Sequence, residues 1–412
     1  MTPLTPLLGS VVPVPRFPDH ETVAIAKLCT QIDTLEKLAA GNDLLGRYPT
    51  ESVAILRETA ILGLGVPLEF GGIGSGHRAS LEAQVRLGMA DSAVAQVFKV
   101  HDELVREIFV YGPPGLRGPL AARILDEGHI IGLAVAETGK KVDDPWTSVV
   151  LPTADGFEIN GTKIYTTGAA EADEVAVWAF NPTVPGIDTN PLLGFQLSLV
   201  PRGSHGMTVH RDWDALGQRA TDSGTITFDH VEVAADARAS EPGRAPLPQN
   251  AVRYQAGFAA VLVGIGLGAV AAAAPFVRDR ARPWPSAGVD AAADDPMVRR
   301  LCGELVTDLT AAYHATMATG DLLDAFERGE VSRTELAVPI YAAKAAASRA
   351  AVRATSEIYA LLGTRGVARV NGFDRYWRNA RTLSLHDPVD WKHEEVGHHV
   401  LTGWDPPPGI YQ

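Results

Sequence analysis

Apolar residues recur at helical spacing from Glu21 to Leu38, Glu51 to Leu62 and Ser80 to Phe98, the pattern of helices with one face turned to a core. His101–Tyr111 and Pro113–Glu127 continue it, so the first third of the chain predicts helices throughout. The glycine-rich GGIGSG at 71–76 reads as a loop between two of them. No strand precedes it, which argues against a phosphate cradle. From Ile130 the period changes to alternation. Short β-rich runs at Ile130–Glu137, Ser148–Pro152, Phe157–Lys163, Glu174–Phe180, Leu193–Pro201, Met207–His210 and Thr225–Val233 are separated by Gly, Asp and Asn turns and predict an antiparallel sheet of about seven strands. After a Pro/Gly-rich linker at 241–248 the helical period returns, over Pro296–Gly329, Thr334–Leu362, Gly372–Leu385 and Val389–Leu401. The order predicts an α+β chain: an N-terminal α-helical domain (1–129), a middle antiparallel β-domain (130–240) and a C-terminal four-helix bundle (241–412).

Ala256–Val277 carries no charge and is long enough to span a bilayer. Its Ala and Gly content is weakly membrane-inserting, and Pro275 interrupts its end. A central helix enclosed by other helices has the same all-round apolarity, and Gly264 and Gly268 would let neighbours approach closely. A buried helix and no membrane is the expectation. The net charge of −13 argues against nucleic acid, whose binding rests on neutralised phosphates. Cys29 and Cys302, far apart, form neither a disulfide framework nor a metal site, which points to a reducing, cytoplasmic compartment. The stretch MTPLTPLLGSVVPVP has no basic flank and does not read as a signal peptide.

Candidate chemistry concentrates in GFDRYWRNARTLSLHDPVDW at 372–391. His386, Asp387 and Pro388 are either a helix boundary at which Asp387 caps the next helix or a corner at which a histidine beside a carboxylate handles a proton. Arg278, Arg280 and Arg282 follow the apolar helix and suit either its C-terminal dipole or a phosphate. Thr166, Thr167 and Trp213 would suit a flat heteroaromatic cofactor and are equally normal in β structure. His101 alone reads as a packed histidine. His393, Glu394 and His398 miss the spacing of a zinc-protease helix, so no metal is expected.

The α–β–α order, with VPLEFGGIG at 66–74, GFEINGTKIYTTG at 156–168, DWDALGQRATDSGTITFDHVEV at 212–233 and LLGTRG at 361–366, resembles the acyl-CoA dehydrogenase superfamily over nearly the whole chain. GQRATDSGT, RDRARPWPSAGV with DDP at 294–296, and GFDRYWRNARTLSLHDPVDWK are similar to its flavin-dependent monooxygenase branch, that of the dibenzothiophene monooxygenases. Many dehydrogenases of the superfamily carry a catalytic glutamate followed by glycine where this chain has Asp387–Pro388, and the segment AETGKKVD at 136–143 lacks their usual GlySerAsp ending.

The resemblance implies reduced flavin supplied by a separate NAD(P)H:flavin reductase, O2 adding at the flavin C4a, and oxygen transfer to sulfur, nitrogen or an indole carbon of a small substrate. FMN is the expected flavin and FAD the alternative. The resemblance places His101, His386 and Asp387 near the reacting oxygen, Thr167 at the flavin N5 region, Trp213 against the ring and Arg282 on the flavin phosphate. Ser223 and Arg278 complete the implied flavin contacts, and a homotetramer is the implied assembly. The alternatives are an acyl-CoA dehydrogenase with Asp387 as base, and a non-catalytic scaffold of the same fold.

Overall fold

The chain is described by a computed structural model covering residues 6–12, 15–139, 146–240, 243–244 and 246–408. Parts of the N-terminal stretch, of the 136–143 segment and of the 241–248 linker lie outside the described residues.

Seven helices come first: α1 (Pro6–Val11), α2 (Asp19–Cys29), α3 (Ile32–Leu45), α4 (Thr50–Thr59), α5 (His77–Ala90), α6 (Ser92–Tyr111) and α7 (Pro114–Glu127). The helical period runs unbroken across Asp91, yet the helix breaks there. Asp91 is extended, and its carboxylate accepts the backbone N–H groups of Ala93 (3.0 Å) and Val94 (3.4 Å), an N-cap that starts α6 afresh. His101 therefore lies in mid-helix rather than at a helix start.

Seven strands follow: β1 (Ile131–Ala134), β2 (Val149–Pro152), β3 (Gly156–Lys163), β4 (Glu174–Phe180), β5 (Phe195–Pro201), β6 (Met207–Val209) and β7 (Ile226–Ala234). They form one sheet in the order β1-β4-β2-β3-β7-β6, with β5 on β4. Most pairings are antiparallel, as the alternation suggested. The expected all-antiparallel sheet is corrected around β4, where β1 runs parallel to it from Ile131↔Glu174 to Ala134↔Val177 and β2 meets it in parallel at Val149↔Phe180. Side-chain alternation is identical in the two arrangements, so only the long-range pairing reveals it.

The C-terminal helices are α8 (Asn250–Asp279), α9 (Pro296–Glu327), α10 (Arg333–Leu362), α11 (Asp374–Ser384) and α12 (Val389–Thr402). Asp295 caps α9 ahead of Pro296, and Ser332 with Glu335 closes a capping box on α10. Three of these helices are long and two short. α8 packs against α9 and α10, and α5 from the first third covers another flank.

Helix α8 is the one described helix long and apolar enough to cross a membrane, and 78% of its most apolar window is buried inside the fold. Its glycines set the spacing. A Cβ on Gly264 would sit 2.5 Å from the Val85 carbonyl oxygen and 2.9 Å from the Gly88 Cα of α5, so the two backbones touch where side chains normally intervene. Gly264→Val is expected to cost about 1–3 kcal/mol or more through overpacking, seen as a lower denaturation midpoint; an unchanged midpoint would mean that the α5–α8 crossing relaxes freely.

Candidate active site

The loop between α11 and α12 carries His386 and Asp387 into a recess bounded by α6, α8 and α10. Pro388 is the N-cap residue of α12, and no side chain caps that helix end. Asp387 is thus not the cap that its position suggested. Its Oδ2 instead accepts from Gln255 Nε2 of α8 and lies 3.1 Å from His386 Nδ1. Burial alone would raise this carboxyl, but the bonds from His386 and Gln255 outweigh it and hold the group well below the usual carboxylate range.

His386 keeps 49% of its side-chain surface open, with its ring 3.9 Å from that of Phe258 and tilted by 38°. Loss of surrounding water lowers its pKa, against the opposing pull of Asp387. The imidazole is accordingly neutral at pH 7, with Nδ1–H donated to Asp387 and the Nε2 lone pair facing away from that bond.

His101 does not join them. It is fully buried, its Nδ1 accepts the Ile131 backbone N–H (3.1 Å), and its Nε2–H therefore donates to the Leu62 carbonyl (3.0 Å). Burial pushes its pKa down to about 4, so it is a neutral strut between helix and sheet. The expected place of His101 near the reacting oxygen is corrected on this ground. The residues of α6 that face the recess are Lys99 and Glu103, two positions to either side and so about 200° round the helix. Lys99 Nζ lies 2.8 Å from Glu103 Oε2 and 3.8 Å from the Phe258 ring centre. Across from it, Lys344 of α10 lies 5.0 Å from the same ring.

Thr167, Ser223 and Trp213 do come together, at the loop between β6 and β7. Thr167 Oγ1 is 3.0 Å from Ser223 Oγ, which is 2.7 Å from Thr221 Oγ1. Gln218 anchors this hydroxyl chain: its carbonyl accepts from Trp213 Nε1 (2.9 Å) and Thr221 Oγ1 (2.8 Å), and its amide reaches Gln96 Oε1 (2.7 Å) and the Ser92 carbonyl (3.1 Å). Asn379 of α11 accepts the Gln218 backbone N–H (2.7 Å) and donates to Ser92 Oγ (2.9 Å). A Cβ on Gly217 would overlap the Arg378 carbonyl, which is why the loop and α11 can lie so close. Tyr165 stands edge-on to Trp213 at 6.0 Å. Arg378 of α11 ties this loop to α3 by binding the Leu216 carbonyl and Asp43, while Phe373, just before α11, packs on Phe276 of α8.

Arg278 and Arg282 are exposed at the end of α8, and among the described residues nothing connects them to the Thr167–Ser223 chain. A recess of about 370 Å³ at that end is lined by Arg280 and Arg375, with Glu36, Asn371 and Tyr376 among its walls. Reading by resemblance missed Lys99, Glu103, Gln255, Phe258 and Lys344. Lys344 had a signal: it sits on the buried stripe of Ile340, Ala347 and Ala351 in a run of alanines.

Family models match this chain twice, as the acyl-CoA dehydrogenase middle domain over residues 132–231 and the acyl-CoA dehydrogenase C-terminal domain over 256–391. The chain belongs to the acyl-CoA dehydrogenase family. Relatives within that family that match most of the chain at 30% identity or more include monooxygenases. It is 34% identical to a dibenzothiophene monooxygenase of Mycolicibacterium goodii, covering 89% of this chain and 91% of that one. It is 30% identical to a probable FMNH2-dependent monooxygenase of Pseudomonas putida, over 90% and 93%. The solved structure of TdsC from Paenibacillus sp. A11-2 with FMN and indole superposes with a TM-score of 0.88 at 30% identity, over 94% and 99% of the two chains.

Proposed function

We propose that this chain is the oxygenase of a two-component system, taking reduced FMN from a separate NAD(P)H:flavin reductase and using O2 to oxygenate a small molecule. The observation that carries this reading over dehydrogenation is the state of Asp387. A base that removes a proton α to a thioester carbonyl needs a carboxyl of raised pKa, whereas Asp387 is held low and is committed to His386 and Gln255. A scaffold has no use for the buried charges at the recess, which cost stability wherever they are not paired.

The side chains fit FMN rather than a charged ring system. The linked hydroxyls of Thr167, Ser223 and Thr221 offer donors and acceptors to the polar edge of an isoalloxazine, and the Trp213 indole offers it a flat face. Arg282 and Arg278 suit a phosphate. Because they lie apart from the hydroxyl chain, they serve the flavin of a neighbouring subunit in a homotetramer. Exposed Trp284, Val367 and Val370 on the same side, 73%, 67% and 91% open, support such a contact. A cytoplasmic location completes the reading.

Bound FMN supplies the capacity to activate O2. The protein's part is to exclude water from the recess and to hold the reacting oxygen's proton. His386 Nε2 accepts that proton's hydrogen bond, while Asp387 fixes the ring and tautomer through Nδ1. Anaerobic titration of the FMN-loaded protein with acyl-CoA thioesters tests the choice. No bleaching of the flavin is expected; bleaching would make the protein a dehydrogenase.

A further inference from the structure

The charges around the recess are nearly all matched. Lys99 pairs with Glu103 (2.8 Å), Lys392 with Glu395 (2.9 Å) and Arg253 with Glu107. Asp387 accepts hydrogen bonds from the uncharged His386 and Gln255 and acts on Lys344 only from beyond ion-pair distance. Lys344 is the exception. Its side chain is 0% exposed, and among the described residues its Nζ has no hydrogen-bond acceptor and no carboxylate within ion-pair distance. The Phe258 ring, 5.0 Å away, gives it a cation–π contact, a weaker term than the loss of hydration. Burial drives its pKa down to about 7, which Asp387 opposes. One turn further along α10, buried Ser348 also has an Oγ without a partner. Two unfilled donors thus stand on one face of α10, Lys344 beside the ring that carries His386.

We propose that the substrate of this recess is a small organic oxyanion, a carboxylate or sulfinate, whose charged end is bound by Lys344 with Ser348 while its oxidisable atom lies toward His386. The inference rests on the monooxygenase reading for the chemistry and on Lys344 alone for the charge. An oxyanion fills the ammonium's donors, which no protein group among the described residues does. A neutral aromatic hydrocarbon, with no acceptor to offer, would leave those donors unfilled.

Isothermal titration of the FMN-loaded protein with matched pairs tests this: methanesulfinate against dimethyl sulfoxide, and para-(methylthio)benzoate against methyl phenyl sulfide. The anion of at least one pair is expected to bind about ten- to a hundredfold more tightly than its neutral partner, the range of one desolvated charge-assisted hydrogen bond. Lys344→Met, which fills similar volume without charge, should erase that gap and leave the neutral ligand's affinity unchanged. Neutral partners that bind as tightly as both anions would overturn the proposal, and so would a gap that survives in Lys344→Met. Since the wild-type comparison decides by itself, a variant that fails to fold does not remove the test. Product analysis on the same pairs with reduced FMN and O2 separates the two readings: a Lys344-dependent gap with peroxide and no oxygenated product would refute the oxygenase function and leave anion recognition standing.

Discussion

His386→Ala is expected to lower oxygen transfer by about 10²- to 10⁴-fold, the usual weight of a positioned proton-handling group, while FMN affinity stays unchanged. The reason is positional. His386 meets Asp387 through Nδ1 and Phe258 through its face, which leaves Nε2 for the reacting oxygen, and among the described residues no contact links it to the Thr167–Ser223 chain proposed to hold the flavin. Reduced FMN should still be consumed in the variant, with peroxide replacing product. The pH profile adds a second readout. Loss of hydration keeps the imidazole below its ordinary value of 6.5, and the working form is neutral, so the acid limb of turnover should fall below that pH and shift in Asp387→Asn. Turnover unchanged in His386→Ala would remove this residue from the mechanism.

Glu107→Ala should produce the largest loss of stability, about 3–5 kcal/mol. Glu107 is fully buried and accepts from Arg253, Tyr254 and, at 2.7 Å, Tyr111. Removing it strands the Arg253 guanidinium, itself only 4% exposed, in a site where no other carboxylate among the described residues is paired to it. An unpaired buried charge costs far more than the pair ever contributed. The pair also joins α6 to α8, and so fixes Lys99 against Phe258 and Gln255 against Asp387. Chemical denaturation should show the loss directly. Glu107→Gln, which keeps an acceptor, should recover part of it; equal losses in the two variants would point to packing rather than charge.

Periodicity made most of the fold legible, because burial on one face leaves a mark every second or every third to fourth residue. The seven strands and five C-terminal helices fall close to where alternation and helical spacing placed them. The break at Asp91 stayed hidden because the capping carboxylate sits inside an unbroken apolar pattern. The β1–β4 pairing was invisible because parallel and antiparallel strands alternate alike. At the site, the neighbouring His386 and Asp387 were legible as a pair, but whether Asp387 capped a helix or oriented a histidine depended on Gln255, distant in sequence. For His101 the residues alone suggested a packed histidine and the resemblance a place near the reacting oxygen; its helical face, opposite Lys99 and Glu103, sends it to backbone partners. Lys344 went unnoticed because a lysine among alanines reads as solvated unless its stripe is traced.

The most direct test of the oxygenase function mixes the protein and reduced FMN with dissolved O2 in a stopped-flow spectrophotometer. The prediction is an oxygenated flavin species that precedes oxidised FMN and outlasts its counterpart in free solution, more briefly so in His386→Ala. Direct conversion to oxidised FMN at the rate of free flavin, with all of the oxygen released as peroxide, would contradict it.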